Sequence, residues 1–212
     1  MKKLYYIITI SLLFISACAS SENKQVNTNS VQTIATQSVA NAEYAVPEYR
    51  YTTQEGIRLN TLYNAKLNDL GNEIKKIEPL VPIKQTFGFY YDNKTKEKNK
   101  LYLGFDCELI DAIPAGESYP MRAWDVIFKH LHLILTKSTI VHQILDDPDI
   151  QGLVISFYWI YEGREGIIVW IEKKDIKLFL KNTIIYPELI ARSTATRLDG
   201  KIINLLLFQK AP

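Results

Sequence analysis

The sequence predicts an α+β domain with the element order β-β-α-β-β-α-β-β over residues 85–209, preceded by an amphipathic helix. Three observations carry this. Apolar residues recur at helical spacing from Leu59 to Ile77, the period falls to two from Gln85, and Asp199-Gly200 marks a tight hairpin near the end. The inner six elements follow the ferredoxin-like order β-α-β-β-α-β, and one extra strand at each end extends it. The expected sheet is antiparallel or mixed, with both inner helices on one face.

Each element has a local reason. Thr52-Thr53-Gln54-Glu55 has the form of a capping box, which opens a helix over about 53–78. Leu59, Tyr63, Leu67, Leu70, Ile74 and Ile77 then fall on one stripe; Gly71 weakens the helix interior and Pro79 ends it. Phe87, Phe89 and Tyr91 alternate, as do Leu101, Leu103, Phe105 and Cys107, with the polar stretch DNKTKEKNK between them, so a hairpin with a long loop is expected. The sequon-like Asn93-Lys94-Thr95 at its tip reads as chance. Ser118 and Pro120 form a cap and first-turn pair. The helix they open places Trp124, Ile127, Phe128, Leu131 and Ile134 or Leu135 on its buried face and continues or restarts at Ser138 through Leu145.

DDPDIQG, Asp146 to Gly152, breaks that helix. LVISFYWIY and IIVWI follow as strands around the turn EGREG, and a short helix carries Ile176, Phe179 and Leu180. Leu189–Leu198 and Lys201–Phe208 are read as the last two strands. Leu153, Ile155, Phe157, Trp159 and Tyr161 line one face of their strand, and Val154, Ser156, Tyr158 and Ile160 the other. In the next strand Ile168 and Trp170 oppose Ile167, Val169 and Ile171. Both faces are apolar, as in a strand covered on both sides. The expectation is that the Leu59–Ile77 helix covers the second face; if it does not, Tyr158 and Trp170 form a patch suited to a protein, a peptide or a sugar.

The first residues concern location. Met1-Lys2-Lys3 is a short positive start, and Leu4 to Ala17 follows without a charge, about 14 residues against the roughly 20 needed to span a bilayer. This is the layout of a secretory signal. Ile15-Ser16-Ala17-Cys18, an aliphatic residue, two small ones and Cys, resembles the lipobox of bacterial lipoprotein precursors. The resemblance covers residues 1–18 only. It implies diacylglyceryl transfer to the Cys18 sulfur, cleavage before Cys18, and a bilayer as the first partner. Ala19, where enteric lipoproteins retained on the inner membrane carry Asp, implies the periplasmic face of the outer membrane if the host has one. The expected organisation is a signal peptide at 1–17, a lipidated Cys18 with a flexible tether to 46, and one globular domain at 47–212. The Ser-, Asn- and Gln-rich tether cannot bury enough surface to fold and reaches roughly 30 Å.

Removing residues 1–17 takes Lys2 and Lys3 and no acid, so the formal charge falls from +2 to about zero. A neutral domain lacks the basic footprint that nucleic acid requires. With Cys18 lipidated, Cys107 has no disulfide partner and reads as a small core residue. Phosphate-loop, dinucleotide, nucleophile-elbow and His-Glu-Xaa-Xaa-His patterns are absent. His130 and His132 are two apart on a helix and face different ways, His132 shares a polar stripe with Arg122, Asp125 and Lys129, and Asp146, Asp147 and Asp149 read as a helix end rather than a calcium loop. No catalytic residue, metal or cofactor is therefore expected. The function expected is that of a non-enzymatic envelope lipoprotein that binds or scaffolds another envelope component. The alternatives are a lipoprotein that binds a sugar or peptide and an unfamiliar envelope hydrolase.

Overall fold

The computed structural model describes residues 43–91, 100–110, 116 and 118–205. The signal segment, Cys18, most of the tether, the polar loop 92–99 and the end of the last expected strand lie outside the described residues. Helix α1 (Gln54–Ile74) starts one residue later than the capping box implies. Thr53 is the cap, its Oγ1 accepting from the Gly56 N–H at 3.1 Å, and Glu55 turns instead to Arg58. Leu59, Leu67, Leu70 and Ile74 are fully buried.

Gly71 has a use that its helix propensity hides. The Tyr44 ring lies against it: a Cβ on Gly71 would stand 2.2 Å from Tyr44 Cγ. Tyr44 belongs to a strap, Glu43 to Val46, that precedes the helix. Asn68 Oδ1 accepts from the Tyr44 and Ala45 N–H groups, Val46 N–H donates to Phe87 O, and Phe87 N–H donates to Tyr44 O. Tyr44, Ala45 and Val46 are buried, so the folded chain begins by Glu43, ahead of the boundary at 46 read from composition.

Seven strands form one mixed sheet: β1 (Leu80–Pro82), β2 (Gly88–Tyr91), β3 (Leu101–Leu109), β4 (Ile150–Ile160), β5 (Arg164–Glu172), β6 (Thr194–Arg197) and β7 (Ile202–Ile203). The order is β1-β3-β4-β5-β6-β7, with β2 beside β1 on the same edge of β3. Among the seven described strands only β3 and β4 pair in parallel, and outside them Ala45 and Phe87 form an isolated parallel bridge. The fold is thus mixed α/β, and the spatial arrangement differs from the ferredoxin-like one. That arrangement splits its parallel pair with an intervening strand, whereas β3 and β4 are neighbours here. β1 escapes sequence reading because it has three residues and ends in Pro82.

The crossover from β3 to β4 is a helical run: α2 (Tyr119–Val126), a π-helical segment (Ile127–Leu131), α3 (His132–Lys137) and, after Ser138, α4 (Thr139–Leu145). Its buried rows are Ala123, Ile127, Leu131 and Leu135, and Val126, His130 and Ile134. Both repeat every four residues, which drifts by about 40° per step on an ideal α-helix of 3.6 residues per turn. The wider π turns absorb the drift. Trp124 and Phe128, read as buried-face residues, are displaced to the flank; Phe128 is 42 % exposed.

The second correction is α6 (Tyr186–Arg192), which replaces the first part of the expected strand at 189–198. Pro187 opens it, Glu188 sits in its first turn, and Arg192 pairs back to Glu188 at 2.6 Å. This leaves four residues for β6. The Asp199-Gly200 hairpin forms as expected, with Gly200 at φ +83°. Helix α5 (Lys173–Leu180) follows β5 directly.

Every described α-helix sends its buried apolar side chains into one core cluster. The strand positions in that cluster include Leu101, Leu103, Phe105, Cys107 and Leu109, then Leu153, Ile155, Phe157 and Trp159, then Ile167, Val169 and Ile171. α1 therefore joins the same layer as the other helices, packing on β2, where Tyr63 meets Phe89. The opposite face of the sheet carries no described helix. No described helix is long and apolar enough to cross a membrane.

The strap yields a test with a reversed sign. Gly→Ala in a helix interior ordinarily stabilises by about 1 kcal/mol. Gly71→Ala should instead lower stability by about 1–3 kcal/mol, the usual cost of overpacking, and should become neutral or stabilising in a Tyr44→Ala background. Urea unfolding of the two single variants and the double variant reads this; a stabilised Gly71→Ala in the parent chain would refute the contact.

Candidate binding face of the sheet

Alternation places Tyr90 of β2, Tyr102 and Asp106 of β3, Val154, Ser156 and Tyr158 of β4, and Ile168 and Trp170 of β5 on the helix-free face. Tyr102 and Val154 are 6 % exposed yet belong to no part of the main core cluster. What covers them is the face itself. Tyr102 stands opposite Gly152, and Tyr158 opposite Gly166. Tyr90 lies diagonally across from Gly104, whose added Cβ would meet Tyr90 Cδ2 at 2.5 Å and Val154 Cγ1 at 2.6 Å. A Cβ on Gly152 would fall 2.8 Å from Tyr102 Cδ1. Aromatic rings laid over cross-strand glycines restore the packing that the glycines lack.

Trp170 stands nearly perpendicular to Tyr102, with ring centroids 5.1 Å apart, and the Tyr102 hydroxyl donates to Glu172 Oε1 at 2.7 Å. Tyr158 and Trp170, the two residues singled out in the sequence, are each half-buried and lie on the same face. Tyr90, Tyr102 and Asp106 were missed. The alternation of Tyr102 and Asp106 with Leu101, Leu103 and Phe105, and of Tyr90 with Phe89 and Tyr91, is visible, but the Tyr–Gly pairings depend on strand register, which the sequence does not display.

One polar group sits among these rings. Burial raises the Asp106 carboxyl above its ordinary value, against hydrogen bonds from Ser156 and Tyr158 and the nearby Arg164 charge, which pull it down. The Arg164 guanidinium covers the Tyr158 ring at 4.6 Å. At one end of the face a cavity of about 340 Å³ opens beside β2. Arg50, Tyr51, Thr53, Phe89, Tyr90 and Tyr91 are among its lining residues, so Tyr90 joins it to the face. The Tyr51 hydroxyl accepts from the Phe89 N–H at 3.1 Å, and burial pushes that phenol up to about 12. Such a surface can stack on planar or apolar groups and hydrogen-bond along its rim. It does not assemble an acyl-transfer triad, because His130, His132 and His142 all lie in the helical layer, away from Ser156 and Asp106.

The remaining polar candidates have structural roles. Arg122, expected on a solvated stripe, is buried: it forms two hydrogen bonds with Glu165, stacks under the Tyr161 ring at 3.7 Å, and shares Glu165 with the Trp159 indole N–H. Asp147 accepts from Tyr63 and from the Asp149 N–H, and Asp149 accepts from Arg58, so the acidic stretch is a turn tied to α1. His142 Nε2 lies 2.6 Å from Leu135 O, while His130 is buried and His132 exposed. The described residues contain no group of three or more potential metal ligands. Cys107 is a free, fully buried thiol whose pKa burial drives upward.

Comparison of the chain with protein-family models, curated proteins and solved structures finds no match.

Asp106 makes the face sensitive to pH in a stated direction. A carboxyl with a raised folded pKa contributes stability that is present at acid pH and lost as pH rises from about 3.8 through the folded value. Asp106→Asn should therefore gain stability relative to the parent at pH 7 more than at pH 4. Thermal melts at the two values measure it, and an equal difference at both would count against burial as the cause.

Proposed function

We propose that this chain is a membrane-anchored envelope lipoprotein whose domain is a binding module, docking another envelope component on the helix-free face of its sheet. One observation carries the reading: Tyr158 and Trp170, with Tyr90, Tyr102 and Ile168, form an aromatic face on the side opposite the helical layer. The location rests on the lipobox resemblance at Ile15 to Cys18, which lies outside the described residues. A monomer with no use for that face would be expected to carry polar residues there, as antiparallel sheets with a solvated side do.

A second reading has its own observation. The cavity of about 340 Å³ beside β2 falls within the range of small-ligand sites, roughly 300–1,000 Å³. Its tyrosines, threonines and Arg50 suit a short peptide or a sugar, held by stacking and rim hydrogen bonds. Tyr90 would then be shared by the ligand and the larger face.

Two measurements test the proposal. Cys18→Ser should abolish metabolic labelling by a radioactive fatty acid; unchanged labelling, or a mature protein that begins elsewhere, would overturn the location. Replacing Tyr158 or Trp170 by a photo-reactive phenylalanine in cells should give an adduct of a single mass, and the same replacement at Leu62, exposed on α1, should give none. Adducts equal at all three positions, or none at Tyr158 and Trp170, would remove the face from the reading.

A further inference from the structure

The helical layer carries a second surface of different chemistry. Met121, Trp124, Phe128 and His132 recur at spacings of three, four and four along the helical run, forming a stripe beside the core face rather than within it. Aromatic contacts extend it sideways: Trp124 to Phe128 at 5.7 Å, Phe128 to Tyr186 at 5.3 Å, and Tyr186 to Phe179 at 5.6 Å. At the far end Leu180 and Ile185 flank the α5–α6 connection, 38 % and 69 % exposed. This apolar surface borders a charged cavity through Leu180, which belongs to both.

That cavity is about 320 Å³ in volume and lies between α4 and α5. Lys173, Lys177 and Lys181 come to it at four-residue spacing from α5, with His142 opposite and Leu145, Ile176 and Leu180 as apolar lining. Lys173 donates to Asp147 O, and Lys177 lies 3.3 Å from Asp146, the one acid in the lining. Lys181 makes no ion pair among the described residues. The Lys173 ammonium is pushed down first by burial and then by the neighbouring Lys177 charge, against Asp147, Asp146 and Asp149, which pull it up.

We propose that this surface docks on an anionic phospholipid bilayer, the lysines of α5 meeting headgroup phosphates while Trp124, Phe128, Leu180 and Ile185 enter the interfacial layer. Three features select a bilayer over a protein partner. Aromatic and aliphatic groups next to lysines are the composition of interfacial anchors, where apolar burial adds to attraction by anionic lipid. The indole ring of Trp124 is favoured at headgroup depth. Residues 18–42 lie outside the described residues, and a flexible tether of that length and composition would reach roughly 30 Å from the acyl groups expected at Cys18. A tethered domain meets its membrane at an effective concentration of the order of millimolar, so docking that is weak in isolation is populated in place. The anchor supplies the motive for this proposal, but its test is independent of the anchor.

The experiment uses the mature chain, residues 18–212, with Cys18→Ser, so that no acyl group contributes. It is mixed with vesicles of phosphatidylcholine alone or with about one-third phosphatidylglycerol, and sedimentation is measured. Binding should be several-fold stronger to the anionic vesicles. Lys177→Gln with Lys181→Gln should lower that binding about ten-fold, and Ile185→Ser should lower binding to both vesicle types; all three positions are exposed, so folding is retained. Brominated phospholipid should quench Trp124 and leave Trp159, which is buried, and Trp170, on the opposite face of the sheet, unquenched; Trp124→Phe should remove the effect. Absence of sedimentation with anionic vesicles, sedimentation indifferent to the substitutions, or quenching of Trp170 in place of Trp124 would each overturn the proposal. Loss of acylation at Cys18 in cells would overturn the anchor and leave this result standing.

Discussion

The parallel pairing of β3 with β4 is the constraint from which the rest of the architecture follows. Two parallel neighbours cannot be joined by a tight turn, so the chain must leave the end of β3, cross the sheet and re-enter at the start of β4. Residues 110–149 make that crossing, and their helices have to lie on one face. Once they do, α5 and α6 can complete the same layer through the β5-to-β6 connection, and α1 can close it over β2. Each added helix deepens one core, which is why Leu59 of α1 and Leu189 of α6 belong to a single cluster with Ile155 and Phe157 of β4. The cost falls on the other face, which the fold leaves without a helix to cover it.

That face solves its problem locally. Instead of filling it with charged residues, the sequence places Tyr102 and Tyr158 across from glycines and Tyr90 diagonal to one, so the rings lie over bare backbone and shield it. Tyr102 reaches 6 % exposure with no helix above it. The end of the sheet uses a different device. Glu165 receives two hydrogen bonds from Arg122 and one from the Trp159 indole, and Arg122 stacks under Tyr161. A buried arginine left unpaired would cost several kcal/mol, so this pair serves more to fix where α2 meets the β4–β5 hairpin than to add stability.

What could be read from the sequence was periodicity, and what escaped it was geometry between segments. The two-residue periods of LVISFYWIY and IIVWI give the face of Tyr158 and of Trp170 within each strand, and the register of β4 with β5 brings the two onto one side of the sheet. The partner of that strand was not readable, because alternation says which side a residue faces and nothing about its neighbour. The helical run is legible but its face is not: ordinary α-helical spacing puts Trp124 and Phe128 inward and Arg122 in solvent, whereas the π-helical segment turns a four-residue repeat toward the core. Pro187 signalled a helix start as clearly as Pro120 did, yet the apolar run that follows it was read as β. Gly71 was read by its propensity alone, although its reason lies 27 positions earlier in Tyr44.

The strap at Glu43–Val46 bears on how the two proposed surfaces could work together. It opens the described chain, and it is held by backbone hydrogen bonds to Gln85 and Phe87, by Asn68, and by a ring seated on Gly71. Tension from a membrane anchor would therefore be carried by α1 and the β2 edge, the parts of the fold nearest the cavity beside Tyr51. The half of the domain that holds β5, α5 and α6 would bear little of it. A domain held at one edge by its tether and resting its helical layer on the bilayer would turn the Tyr158 and Trp170 face away from the membrane. On the two proposals together, the order of layers would give each surface a distinct direction, with the lysines and exposed aliphatics toward lipid and the tyrosine-covered sheet away from it.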